Sequence, residues 1–270
     1  MTEIAGPFTP PAIVVGVDGS RAAERAALWA LDEAIARELP LRLVAAAEPG
    51  QAPGRAESAV HAAAAAVQAT GRPVTIGTEI AAGEPAHALL TASRAAAMLC
   101  VGAVGLTHFE HRVGSTVSAL VASAHCPIAV IRGENRDGSV VVELDETPDS
   151  AAVLQTAVEE ARLRSAPLRV LGTWQSADPD GRDTEERNRL VRAQLDRRVE
   201  TWRHRYPDLD VEPVAVHGSG LEYLATHAAA TQLVVIGARN IVAVTELLGP
   251  AGLAALPDTS VLIVDTQRLL

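Results

Sequence analysis

The stretch Ile13–Leu43, IVVGVDGSRAAERAALWALDEAIARELPLRL, recurs without a gap at Val140–Val170, VVVELDETPDSAAVLQTAVEEARLRSAPLRV, 127 positions further on. Asp18 falls on Asp145, Glu33-Ala34 on Glu160-Ala161, Arg37 on Arg164, and Pro40-Leu41-Arg42 on Pro167-Leu168-Arg169. The match resumes at an offset of 135, where Gly83 meets Gly218, Leu89 meets Leu224, Gly102 meets Gly237 and Gly114 meets Gly249. A period this long is far beyond the unit of a solenoid, so each copy is expected to be a domain with its own core. The boundaries follow: a leader over 1–11, a first domain over 12–133 and a second over 138–270, with Gly133–Gly138 as a short polar linker.

Within each copy, short β-branched runs alternate with longer helical patterns. That is the signature of an α/β domain with a parallel sheet covered on both faces. In the first copy Ile13–Asp18 reads as a strand buried on both sides and ends in Asp18-Gly19-Ser20, a turn and helix cap. Leu28, Leu31 and Ile35 mark the helix that follows. Further elements are expected as a strand from Pro40 to Ala46, a helix over Ser58–Ala69, a strand over Val74–Ile80, a helix over Ala86–Ala96, a strand over Met98–Val101, a helix from Gly114-Ser115-Thr116 and a strand over Ile128–Ile131. The second copy repeats the order with strands near Val140–Leu144, Leu168–Thr173, Val211–Val216, Leu233–Ile236 and Val261–Val264. Its eight extra residues fall around Ser176–Asp183, before a charged helix whose Val191, Leu195, Val199 and Trp202 form one stripe.

Composition narrows the chemistry. A net charge of −10 disfavours nucleic acid and anionic membranes as partners. All 23 basic residues are Arg, so a Walker A lysine and Schiff-base chemistry are excluded. Cys100 and Cys126 form no CxxC pair, and the eight His show no ligand spacing, so no metal site is expected. No apolar run reaches the ~18 residues of a membrane span, and the first residues lack the pattern of a signal peptide; the expected location is the cytoplasm.

In open α/β sheets, ligands sit beyond the carboxyl ends of the strands where the strand order reverses. The first and fourth strands of copy one end there in Asp18-Gly19-Ser20 and Gly102-Ala103-Val104-Gly105. Gly114-Ser115-Thr116 opens the next helix with free amides and two hydroxyls, a cradle suited to an anion. Asp18 is suited to accept from a ribose or to help hold a metal. In copy two Gly237-Ala238-Arg239-Asn240 lacks the second glycine. Gly249-Pro250-Ala251-Gly252 lacks both hydroxyls, and Pro250 lacks an amide hydrogen.

These residues together resemble the universal stress protein family in its tandem two-domain form. The resemblance rests on Ile13–Ser20 (IVVGVDGS), on Gly83-Glu84-Pro85 before a helix, and on Val101–Arg132 (VGAVGLTHFEHRVGSTVSALVASAHCPIAVIR). It implies two flavodoxin-like domains, each a five-stranded parallel sheet of order 3-2-1-4-5 with helices on both faces. For members that bind ATP it implies nucleotide contacts from Asp18, an adenine wall at Ala45 or Ala46, and phosphate binding by Gly102, Gly105, Gly114, Ser115 and Thr116, with or without Mg²⁺, in the first domain only. One departure is that eight residues separate Gly105 from Gly114 where such members usually place nine. Another is that this loop carries His108, Glu110, His111 and Arg112.

Three functions follow. The first is a stress-response regulator that binds ATP in domain 1, uses domain 2 as a structural pseudo-dimer partner, and associates as a homodimer or with another protein. The second is an ATP-independent interaction module with a vestigial site. A slow ATPase ranks last, because no residues form a recognisable catalytic set.

Overall fold

The computed structural model describes residues 11–50, 52, 54–103, 115–133, 137–147, 149–175 and 184–265. The chain divides into two compact units between Arg132 and Gly133. The expected leader up to Pro10, the insertion around Ser176–Asp183, the centre of the linker and the last five residues lie outside the described residues.

In the first unit β1 (Ala12–Gly16), α1 (Arg21–Ala36), β2 (Leu41–Ala47), α2 (Arg55–Ala69), β3 (Ile76–Ala82), α3 (Pro85–Ser93), β4 (Ala96–Gly102), α4 (Ser115–Ser123) and β5 (Ile128–Ile131) alternate along the chain. The strands pair in parallel in the order β3-β2-β1-β4-β5. The second unit holds β6 (Ser139–Glu143), α5 (Ser150–Leu163), β7 (Leu168–Trp174), α6 (Thr184–Arg205), β8 (Val211–His217), α7 (Gly220–Thr226), β9 (Thr231–Gly237), α8 (Ile241–Leu248), α9 (Pro250–Ala255) and β10 (Ser260–Val264). Its order, β8-β7-β6-β9-β10, is the same arrangement by copy position. Both are flavodoxin-like α/β folds.

The repetition extends to irregularities. In β1–β4 the register slips between Ala12↔Ala96 and Ile13↔Met98; in β6–β9 it slips between Ser139↔Thr231 and Val140↔Leu233. Among the described residues, Glu38 and Ser165, again 127 apart, are the non-glycine residues with positive φ, at 55° and 49°. Each follows the helix after the first strand of its unit and reverses the chain toward the second.

Most boundaries follow the expected pattern, and the exceptions have local causes. The second helix begins at Arg55 and not Ser58, because Gly54 at φ 81° starts it directly. The third strand is Ile76–Ala82, two residues later than expected. It is the edge strand, with alternating exposure that only weakly specifies its ends. The helix expected to reach Ala96 stops at Ser93; Arg94 and Ala95 close it through i→i−3 bonds of 3.4 Å each. That frees Ala96 to pair with Ala12, so the strand expected at Met98–Val101 spans Ala96–Gly102. The stripe on α6 is buried at Leu195 and Val199.

The cores are aliphatic, and one charged pair is set into each. Glu33 and Glu160 are fully buried on the inner faces of α1 and α5. Arg37 donates to Glu33 at 3.1 Å, and Arg164 pairs with Glu160 in the same i, i+4 geometry. Removing the arginine weakens the compensation of a buried carboxylate, a loss of up to about 3 kcal/mol. Arg164 is 11% exposed and Arg37 31%, so water can reach Glu33's surroundings more easily once its arginine is gone. Urea unfolding should therefore rank Arg164→Ala as the more destabilised variant, by about 3 kcal/mol, with Arg37→Ala milder.

Candidate functional site

The crevice of the first unit is built at the carboxyl ends of β1, β2 and β4. The amide of Val17 donates to the Val44 carbonyl at 2.9 Å and that of Ala103 to the Ile131 carbonyl at 2.9 Å, so the strand ends are held to their neighbours. Beyond them Asp18 Oδ1 accepts from the Ser20 amide at 2.9 Å, and Ser20 Oγ accepts from the Ala23 amide at 3.1 Å as the N-cap of α1. Gly19 sits between them at φ 82°, a conformation that favours glycine. Asp18 is thereby fixed at the mouth of the crevice, exposed to solvent.

Small residues line the rest. Ala45 is buried inside the sheet, whereas Ala46 is half-buried at the end of β2, so Ala46 is the one of the two that offers a surface. Gly102 closes β4. A methyl group there would lie 2.7 Å from the carbonyl carbon of Ala22 and 2.8 Å from its oxygen. The first turn of α1 therefore rests directly on the strand end, and Gly102 has a packing reason to be glycine whatever else it contacts. Thr116 is half-buried in the first turn of α4. Ser115 begins that helix. Gly105, Gly114 and the intervening His108, Glu110, His111 and Arg112 lie outside the described residues.

The equivalent place in the second unit keeps one wall and differs at the others. The aspartate turn persists, with Asp145 Oδ1 accepting from the Thr147 amide at 3.0 Å. The helix after it begins later, at Ser150, with Asp149 as its N-cap. Asp149 pairs with Arg239, beyond the end of β9, at 2.9 Å. Gly237, the counterpart of Gly102, would place a methyl 3.3 Å from the Val153 side chain and from no backbone. Glu143 stands where the first copy has Gly16, and Trp174, its ring tilted against His217 with centroids 4.5 Å apart, stands where it has Ala47. The Gly249 amide donates to the Thr245 carbonyl at 2.9 Å, and a methyl on Gly249 would lie 2.6 Å from that oxygen. This glycine serves the joint between α8 and α9, so its amide is already spent.

Glu143 was not among the expected site residues. Its signal in the sequence is a single acid at the end of the apolar run VVVELD, aligned with a glycine in the other copy. Neither cysteine adds chemistry: Cys100 and Cys126 are buried and not joined in a disulfide, and burial pushes the Cys126 thiol up to about 12. Among the described residues no cluster of three His, Cys, Asp or Glu is arranged to hold a metal, and no helix is long and apolar enough to cross a membrane.

The two glycines that end β4 and β9 should respond differently to the same change. Gly102→Ala forces backbone apart and should cost about 2 kcal/mol. Gly237→Ala meets only a rotatable valine and should stay within about 0.5 kcal/mol of the parent. Thermal unfolding of both variants measures the contrast.

Comparison with known proteins supplies the family. The sequence model of the Universal stress protein family matches residues 11–132. Universal stress protein MT2087 of Mycobacterium tuberculosis is 43% identical over 280 residues, covering 96% of this chain and 98% of that protein. Universal stress protein MT3220 of the same organism is 41% identical over 277 residues, covering 98% of this chain and all of that protein. Among solved structures, a universal stress protein from Archaeoglobus fulgidus superposes with a TM-score of 0.68 at 15% identity, covering 94% of this chain and 96% of that one, a likeness of fold. With two nearly full-length relatives above 40% identity, the chain belongs to the universal stress protein family.

Proposed function

We propose that this chain is a stress-response regulator that binds one adenine nucleotide, ATP with or without Mg²⁺, in its first domain and none in its second. The observation that carries the reading is the contrast between the two crevices. In the first domain the strand ends present Asp18, Ala46 and Gly102, side chains small enough to leave room for a ligand, with the start of α4 close in sequence. In the second, Asp145 and Gly237 keep their places and Thr173 replaces Ala46, but Glu143 stands for Gly16, Trp174 for Ala47, and the Arg239–Asp149 pair lies beyond the end of β9. A phosphate would meet Glu143 there and would find the Gly249 amide already engaged.

In this reading Asp18 accepts hydrogen bonds from the ribose and Ala46 lies against the adenine. Gly102, Gly105, Gly114, Ser115 and Thr116 cradle the phosphates through main-chain amides and hydroxyls. Binding alters the surface of the first domain seen by a partner protein or by a second chain, in the cytoplasm, while the second domain keeps a structural role. The function is regulatory binding, with no turnover assigned.

A second reading is favoured by one feature. Ile241 and Val242, at the start of α8, are 71% and 69% exposed, an apolar pair suited to contact with another protein. An interaction module that needs no nucleotide would use such a surface.

Equilibrium titration with ATP and Mg²⁺ separates the two. Under the nucleotide reading the stoichiometry is one per chain, and ligand at 100-fold above Kd stabilises the protein by about 2.7 kcal/mol. Asp18→Ala and Gly114→Val should each weaken binding by at least about tenfold, while Asp145→Ala leaves it unchanged. A stoichiometry of zero at millimolar ATP would leave the interaction module; equal losses from Asp18→Ala and Asp145→Ala would remove the asymmetry between domains.

A further inference from the structure

The second domain carries a carboxylate at a position where the first has none, and nucleotide binding in the first domain makes no use of it. Glu143 ends β6, the central strand, at the position of Gly16 in domain 1. In domain 1 a methyl on Gly16 would lie 2.7 Å from the Leu89 side chain. In domain 2 Glu143 Oε2 lies 2.5 Å from where a methyl on Gly220, the counterpart of Pro85, would be. The carboxylate is thus seated over the first residue of α7. Thr173 Oγ1, from β7, donates to its Oε1 at 3.1 Å.

Two more acids face it. Asp145 follows two residues along, and Glu246 comes from α8, with its Oε2 accepting from Ser219 Oγ, the N-cap of α7, at 3.1 Å. The nearby cations are committed elsewhere. Arg198 of α6 donates to the Asp145 carbonyl oxygen at 3.2 Å and to Ser150 Oγ, and Arg239 pairs with Asp149. Glu222 of α7 is exposed and lies against Gly218. Among the described residues no ion pair reaches Glu143 or Glu246. The three acids are not arranged as a metal-holding group.

We propose that this cluster is an acid-sensing latch, in which protonation of Glu143 relieves its repulsion with Asp145 and Glu246 and tightens the hold of α7 and α8 on the end of β6. The placement explains the device. One carboxyl group at the end of β6 is bonded to β7 through Thr173 and seated over the start of α7, and the Ser219–Glu246 bond ties that start to α8. Burial raises the affinity of Glu143 for its proton; the Thr173 hydrogen bond opposes this, and the charges of Glu246 and Asp145 add to the rise. Because the folded form holds the proton more tightly than the unfolded chain, the folded domain gains stability as pH falls through the folded-state value. It loses that stability as pH rises through it. The latch belongs to the domain assigned no nucleotide and stands or falls apart from ATP binding.

Hydrogen exchange of the full chain, followed by mass spectrometry from about pH 7.5 down to about pH 4.5, close to the ordinary glutamate value, and corrected for intrinsic rates, tests it. In the parent, protection in α7 and α8 should rise on acidification by up to about tenfold per pH unit, the slope of a single bound proton. Peptides from α3 should not follow. Glu143→Gln keeps an acceptor for Thr173 and carries no charge, so its protection should be flat with pH and near the acid level of the parent. A parent without pH dependence, a Glu143→Gln variant with an unchanged slope, or an equal slope in α3 would each overturn the proposal. Carboxyl ¹³C titration of Glu143 in the parent gives a reading that needs no variant. A midpoint at or below about 4.3, the ordinary glutamate value, would overturn it, and a clearly higher midpoint supports it.

Discussion

Each half of this protein depends on burying one short strand completely. Ile13, Val14 and Val15 in β1, and Val140, Val141 and Val142 in β6, are wholly removed from solvent. A strand in that position must have its backbone paired on both sides and its side chains covered on both faces. Those two demands require neighbouring strands on each edge and helices on each face. They also place the strand's carboxyl end where the chain order reverses. The crevice is therefore a consequence of the core, and the residues just past Gly16 and Glu143 decide what that crevice contains.

The two copies separate what the fold requires from what it permits. The bulge at the start of the central strand, the positive-φ residue after the first helix and the buried glutamate–arginine pair are all kept. These features serve packing and chain reversal, which neither copy can abandon. The walls of the crevice are not kept. The later start of α5 moves helix backbone away from β9, and the gap is taken up by the Arg239–Asp149 pair. The second copy thus engages the Gly249 amide internally without disturbing the sheet.

Much of the architecture could be read from the sequence because strand and helix periodicity are strong in buried segments. The apolar run Ile128–Ile131 coincides with β5 to the residue. β3 starts two positions after the run Val74–Ile80 because it is an edge strand with a mixed surface, and the alanine-rich stretch before Met98 has a helical composition that pairing with Ala12 overrides. The site was less readable. Asp18 is where the motif puts it, and the structure distinguishes Ala46 from Ala45 by exposure. What the sequence could not convey is reciprocity across space. Glu143 and Gly220 are 77 residues apart, and each makes sense only once the other is placed against it.

The two buried thiols offer a practical consequence. Cys100 and Cys126 both belong to the first half, and both are shielded in the folded state. An alkylating reagent can reach them only when that half opens, so the rate of modification becomes a clock for local opening of one half while the other stays silent. Ligand protection and the breathing of a single domain can then be followed in the native tandem chain without attaching a probe.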